Sequence, residues 1–246
     1  MESHELRQTL SGLFELAQAA GYSQDEWDML ETAHRLAMVL MNGTYRPCGR
    51  PFINHLLGTA SVLVRYNFRA RVVGAGLVHA AYSHGIEPGT EVKAGIERIC
   101  ALLGGGENRL EASARTYALR FERWQRLLAS PGWPLELSIE DAEIISIAAA
   151  NEADMHLSGE FRFSGRRDLE TFDAGLASHV CRALGVPGLA ETLRIEREKL
   201  SRLPGKPGSR SPAAFRIMGD QLVPAVNTAA IAALHERART SAPGSL

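Results

Sequence analysis

The chain has 246 residues, 45% of them hydrophobic, and a formal net charge of −1 with acids and bases mixed along its length. A chain of this kind buries a sizeable core as one domain, or one domain with an appendage, without help from disulfides. The charge balance argues against a nucleic-acid partner, which would want a basic stripe. No apolar run approaches a membrane span and the N-terminus lacks a charged-then-apolar signal pattern, so a soluble, cytoplasmic protein with no membrane partner is expected. Cys48, Cys100 and Cys181 are odd in number with no CxxC pair and read as reduced, partly buried thiols.

In chain order, Leu6, Leu10, Leu13 and Leu16 give a helix over Glu5–Ala20 one apolar face, and Gly21 ends it. Ser23 with Glu26 three residues on forms a capping box, and the helix it opens runs to Asn42-Gly43. Pro47, Gly49 and Pro51 make residues 44–51 a loop. Helices follow at Phe52–Tyr66 and Arg69–Ser83 with Asn67 at the junction, then at Thr90–Leu103 and, after the triple glycine, Glu107–Ala129. Ser138 caps a long apolar helix, IEDAEIISIAAANEADMHL, whose Glu140 and Asp141 complement the helix dipole. Residues 158–167 read as a surface loop, and helices at Asp168–Leu184 and Leu189–Leu203 complete a body spanning 1–203. Residues 204–212 have a linker composition. Residues 213–246 hold a last amphipathic helix, Gln221–Arg239, and a frayed tail. That helix packs on the body or on a second subunit, which leaves a homodimer open. Alternation at period two is absent, so the fold class is all-α, a helical bundle.

Three residues carry the chemical argument. His55 lies near the start of a helix in FINHLL. His79 sits in the very apolar GAGLVHAAY, where a buried imidazole wants a partner. Asp154 lies in IISIAAANEAD, and a carboxylate there needs a cation, a histidine or a metal. Taken singly, each reads as a satisfied core or surface residue; taken together, they equally read as a two-histidine, one-carboxylate set able to hold one divalent metal (Mn, Fe or Zn) with open positions. Glu152 and His84 are further candidate ligands, and His156 reads as surface or supporting. Tyr82, three residues after His79, either donates to a developing oxyanion or caps a buried polar group. Arg46 either pairs with a phosphate or stacks on a base, or stays solvated in its loop.

The pattern Gly43-x-x-Arg46-x-x-Gly49-x-Pro51-Phe52-Ile53-x-His55 resembles the first motif of the RelA/SpoT alarmone hydrolase domain, an HD-superfamily helical fold. The resemblance covers roughly residues 30–160. It implies that His55 is a metal ligand, that Arg46 stacks on a guanine base, that His79 is the second metal histidine, and that Asp154 of Ala153-Asp154 is the last ligand. The departures are as specific. The superfamily's HD doublet is His79-Ala80 here, the acidic pair of active members falls on Ser83 and His84, and the proline after the first ligand is Leu56. These changes resemble degenerate hydrolase domains, and also uncharacterised HD-like proteins with the AGLxHxxY segment that Ala75–Tyr82 fits. The resemblance therefore implies an atypical metal-dependent hydrolase. It would act on a small polar or phosphorylated, nucleotide-like molecule, with Tyr82 and His84 as catalytic candidates and Arg46 binding substrate. The alternative is an inactive pseudo-enzyme that binds a ligand or regulates.

Overall fold

The computed structural model describes residues 6–104, 110–120, 137–161, 180–202 and 214–241. Among them the protein is mostly helical, with ten helices and a small three-stranded sheet. The helices are α1 (Leu10–Ala19), α2 (Gln24–Met41), α3 (Phe52–Arg65), α4 (Ala70–Val78), α5 (Ala81–His84), α6 (Val92–Leu103), α7 (Leu110–Ala118), α8 (Ile139–Leu157), α9 (Pro187–Ser201) and α10 (Thr228–Ser241). The strands are β1 (Thr44–Tyr45), β2 (Phe215–Met218) and β3 (Gln221–Pro224). No helix among the described residues is long and apolar enough to cross a membrane.

Local chemistry sets the helix ends. The Ser23 capping box is complete, with Ser23 and Glu26 each accepting from the other's backbone N–H. Ser138 accepts from the Asp141 N–H at the start of α8. Asn67 takes the left-handed conformation (φ 56°) at the α3–α4 junction, the kind of position that a short polar side chain tolerates.

α3 is the centre of the molecule, and eleven of its residues are buried. It packs against α4, α8 and α1, while α2 lies on α4 and α9 lies on α8. Leu56, Leu63, Leu77, Ile145 and Ile147 are among the largest side chains sealed in this core. A ladder of this kind, helix against helix on shared apolar faces, supplies most of the driving force for folding.

Five expectations need correction. The chain does contain strands: β1 pairs antiparallel with β2, and β2 with β3. The last helix begins at Thr228, because residues 221–224 are the third strand. The expected helix over Arg69–Ser83 breaks at His79–Ala80 (Ala80 φ −90°, ψ 5°), where the His79 Nδ1–H bonds the Gly76 carbonyl and competes for the acceptor a continuing helix would use. Of the expected surface loop 158–167, the described residues 158–161 are not all at the surface, since Glu160 and Phe161 are both buried. The thiols also differ from one another: Cys48 is exposed, Cys100 half-buried and Cys181 buried. The expected linker 204–212, and most of the helices placed at 107–129 and 168–184, fall outside the described residues. α10 packs on α5 and α6 of its own chain.

Candidate functional site

Three elements bring the polar residues together. Pro51, in extended conformation, delivers the chain into the first turn of α3, which carries His55 inward to 1% exposure. α8 lies across α3 and presents Asp154, which is fully buried. The approach depends on Gly58, because a Cβ there would stand 1.9 Å from Asp154 Oδ1. The end of α4 supplies His79, 4% exposed, with its ring set edge-on to that of His55 at 5.6 Å between centroids. The His79 ring also meets that of Tyr117, at 4.7 Å between centroids.

Arg50 closes the cluster. Its guanidinium donates to both oxygens of Asp154, Nη1 to Oδ1 at 3.2 Å and Nη2 to Oδ2 at 2.5 Å. His55 Nδ1 lies 2.6 Å from the same Oδ2. Arg50 Nη2 also stands 3.3 Å from that Nδ1, but a carboxylate oxygen only accepts and its 2.6 Å contact is the shorter, so the His55 proton is assigned to Nδ1 and its lone pair to Nε2. That Nε2 is buried and has no hydrogen-bond partner. His79 has the same tautomer, because its Nδ1 donates to the Gly76 carbonyl at 2.7 Å. Two neutral imidazoles thus each leave Nε2 unprotonated, and that of His55 is sealed in the interior.

Burial keeps these rings neutral. The pKa of His55 lies well below the ordinary histidine value because of burial, and the charges of Arg46 and Arg50 push it the same way. His79 is lowered to about 3, by burial first and then by His55. Asp154 is raised by burial, and Arg50 opposes that shift.

Arg46 is not solvated. Its Nε donates to Glu160 at 3.1 and 3.0 Å and its Nη2 to Glu160 Oε1 at 2.6 Å, while its Cζ sits 5.2 Å from the centre of the Phe52 ring. Arg50 Nη2 approaches the same carboxylate at 3.6 Å, so two arginines and two carboxylates form one buried network. His84 borders this network. Its ring is 4.7 Å from that of Phe52, its Nδ1 pairs with Ser83 Oγ at 2.8 Å, and burial holds its pKa well below the ordinary value. Tyr82 is directed elsewhere: its hydroxyl donates to Glu111 and sits 3.2 Å from Cys100 Sγ, and burial raises its pKa. Glu152 also departs from the cluster, accepting from Arg197 Nε at 2.6 Å. His156 is buried rather than exposed, 3.4 Å from Glu152 and stacked edge-on against Phe161.

The structure therefore joins His55, His79 and Asp154, sets Arg46 and His84 beside them, and turns Tyr82 and Glu152 away. Sequence reasoning missed Arg50 and Glu160. The signal for them was the buried carboxylate itself, which demanded a cation that the loop preceding α3 could supply.

A divalent metal fits this arrangement incompletely. The unpartnered Nε2 of His55 is the kind of donor a metal takes, and His79 Nε2 is another. The carboxylate is committed to Arg50 and to His55 Nδ1. Among the described residues, no group of three or more His, Cys, Asp and Glu side chains is arranged to hold a metal ion. A groove of about 600 Å³ lined by Tyr66, Phe68, Val72, Ile139, Val180 and Leu184 shares no residue with the cluster. No protein-family model matches the chain, and no curated protein matches it at a significant level.

Proposed function

We propose that the chain is an HD-like helical module that does not hydrolyse through a metal, and that serves instead to bind a small ligand or to regulate. One observation carries the reading: Arg50 grips both oxygens of a fully buried Asp154, so a permanent side-chain cation stands where the motif resemblance would put a metal ion. A guanidinium neutralises the carboxylate as a metal would, but it polarises no water and offers no open coordination position. The missing acidic partner after His79, where Ala80 stands, agrees with this reading. Arg46, held by Glu160, serves the architecture of the pocket rather than a nucleotide base.

A second reading, an atypical metal-dependent hydrolase, is favoured by the buried Nε2 of His55, which has no partner. It requires Arg50 to leave Asp154, and then His55, His79 and Asp154 as ligands.

Elemental analysis of the purified protein separates the two. The first reading expects far less than one equivalent of Mn, Fe or Zn. One equivalent in the native chain, lost in His55→Ala, His79→Ala and Asp154→Ala, overturns it in favour of the second.

A further inference from the structure

We propose that the β2–β3 hairpin is a releasable clasp over the histidine cluster, with Arg216 as its latch. The inference rests on reading the cluster as a binding site, because side chains this buried admit a small molecule only when a wall moves. Among the described residues the walls are of two kinds. α3, α4 and α8 pack on one another through the core. The loop that carries Arg46 and Arg50 and the four-residue α5 that ends at His84 are the shorter pieces, α5 being anchored at its other end by the sealed Tyr82 and by α2, α6, α7 and α10.

The hairpin holds both shorter pieces and comes from the far end of the chain. On one side, β2 pairs with β1, the Ile217 N–H donates to the Gly43 carbonyl at 3.2 Å, and Phe215 stacks on Tyr45 at 5.5 Å. β1 leads straight into Arg46. On the other side, Asn227, three residues beyond β3 and at the start of α10, donates its N–H to the Ser83 carbonyl at 2.8 Å. Arg216, 5% exposed, spans the two: Nε donates to Thr44 Oγ1 at 3.0 Å, and Nη2 to the carbonyls of Leu40 at 3.0 Å and His84 at 3.4 Å.

The latch is built to open. No carboxylate is among those three acceptors, so a buried charge is held by neutral oxygens, two of them helix-end carbonyls with partial negative charge. An ion pair would hold it more tightly. The outer face of the hairpin is also uncovered: the cross-strand partners Ile217 and Leu222 are 47% and 67% exposed. Lifting the hairpin thus breaks the β1 edge and the contacts of one face, and it removes the tie that the Arg46–Arg50 loop and the end of α5 share.

Native-state hydrogen exchange on the full chain tests this. The amides of Arg46, Gly49, His84, Gly85, Ile217 and Asn227 each have a defined backbone acceptor. They should share one opening rate, on the order of tenfold faster than the amides of α3 and α8. Arg216→Met should raise that shared rate by roughly another tenfold, with α3 unchanged, and should speed carbethoxylation of His55 and His79 by a similar factor. The clasp is overturned if Ile217 and Asn227 exchange quickly while Arg46 and His84 stay as slow as α3. It is equally overturned if Arg216→Met loosens every amide alike. Should that variant fail to fold, the exchange pattern of the native chain decides alone. Neither readout depends on metal or ligand, so the clasp and the proposed function stand or fall separately.

Discussion

Arg50 and Asp154 illustrate why a buried charge pair is better judged by removing one partner than by counting contacts. Arg50→Met leaves the Asp154 carboxylate sealed from water with only His55 Nδ1 as donor. It is expected to cost about 3–5 kcal/mol, as breaking buried pairs commonly does. Arg50→Met with Asp154→Leu removes both charges and should recover most of that loss. Urea unfolding of the four proteins in the cycle checks both numbers; simple additivity of the two single losses would show that the pair does not interact. Gly58→Ala probes the same spot sterically. A methyl group 1.9 Å from Asp154 Oδ1 must displace that carboxylate from its place against Arg50 and His55, at roughly 1–3 kcal/mol. At this scale the sequence was informative about which polar residues are buried and brought together. His55, His79 and Asp154 do meet, because an imidazole or a carboxylate inside an apolar helix has few ways to be satisfied. Less legible was which satisfier wins. Metal, cation and histidine all meet the same need, and the arginine that meets it lies 104 residues from its partner, where helix periodicity carries no information.

At the level of elements, the signals that were legible are the local ones. The Ser23 capping box and the Ser138 cap fall where a side-chain oxygen three residues before a free N–H must put them. Ser23→Ala should destabilise by about 1 kcal/mol, read as a shift in the urea midpoint with unchanged slope. A larger loss would mean that Ser23 does more than cap α2. The hairpin escaped because its pattern is inverted. Its buried inward residue is the cation Arg216 and its outward residues are Ile217 and Leu222, the reverse of the polar-out alternation that identifies a half-buried strand. Its strands are four residues each, joined at Gly219 (φ 60°), too short for alternation to be read above noise. The break between α4 and α5 escaped for a different reason. It is caused by a side chain, His79, bonding back to Gly76, and nothing in residues 69–83 taken as a helix pattern shows that the ring prefers the carbonyl.

The whole molecule should register its histidines as a steep dependence of stability on pH. His55, His79 and His84 are all held neutral, each with a folded pKa below the ordinary 6.5, and His79 as low as about 3. Above about pH 6.5 the rings are neutral in both the folded and unfolded chain and add no pH dependence. Below it the unfolded chain gains protons that the folded chain refuses, so stability falls as pH falls, by up to about 1.4 kcal/mol per pH unit for each histidine. Asp154 works in the opposite direction. Its folded pKa is raised above 3.8, so just above that value the folded state binds the extra proton and gains stability on acidification. One group cannot offset three, and the net slope between about pH 6.5 and 4.5 is a loss on acidification. Urea unfolding from pH 7.5 downward measures this, and the domain should unfold within a few units, since total stabilities are of order 5–15 kcal/mol. His79→Gln should flatten the slope by about 1.4 kcal/mol per unit while lowering stability at pH 7.5. A native curve that is flat through this range, or a slope that His79→Gln leaves untouched, would show that the imidazoles carry charge inside the fold, and the neutral cluster described above would have to be abandoned.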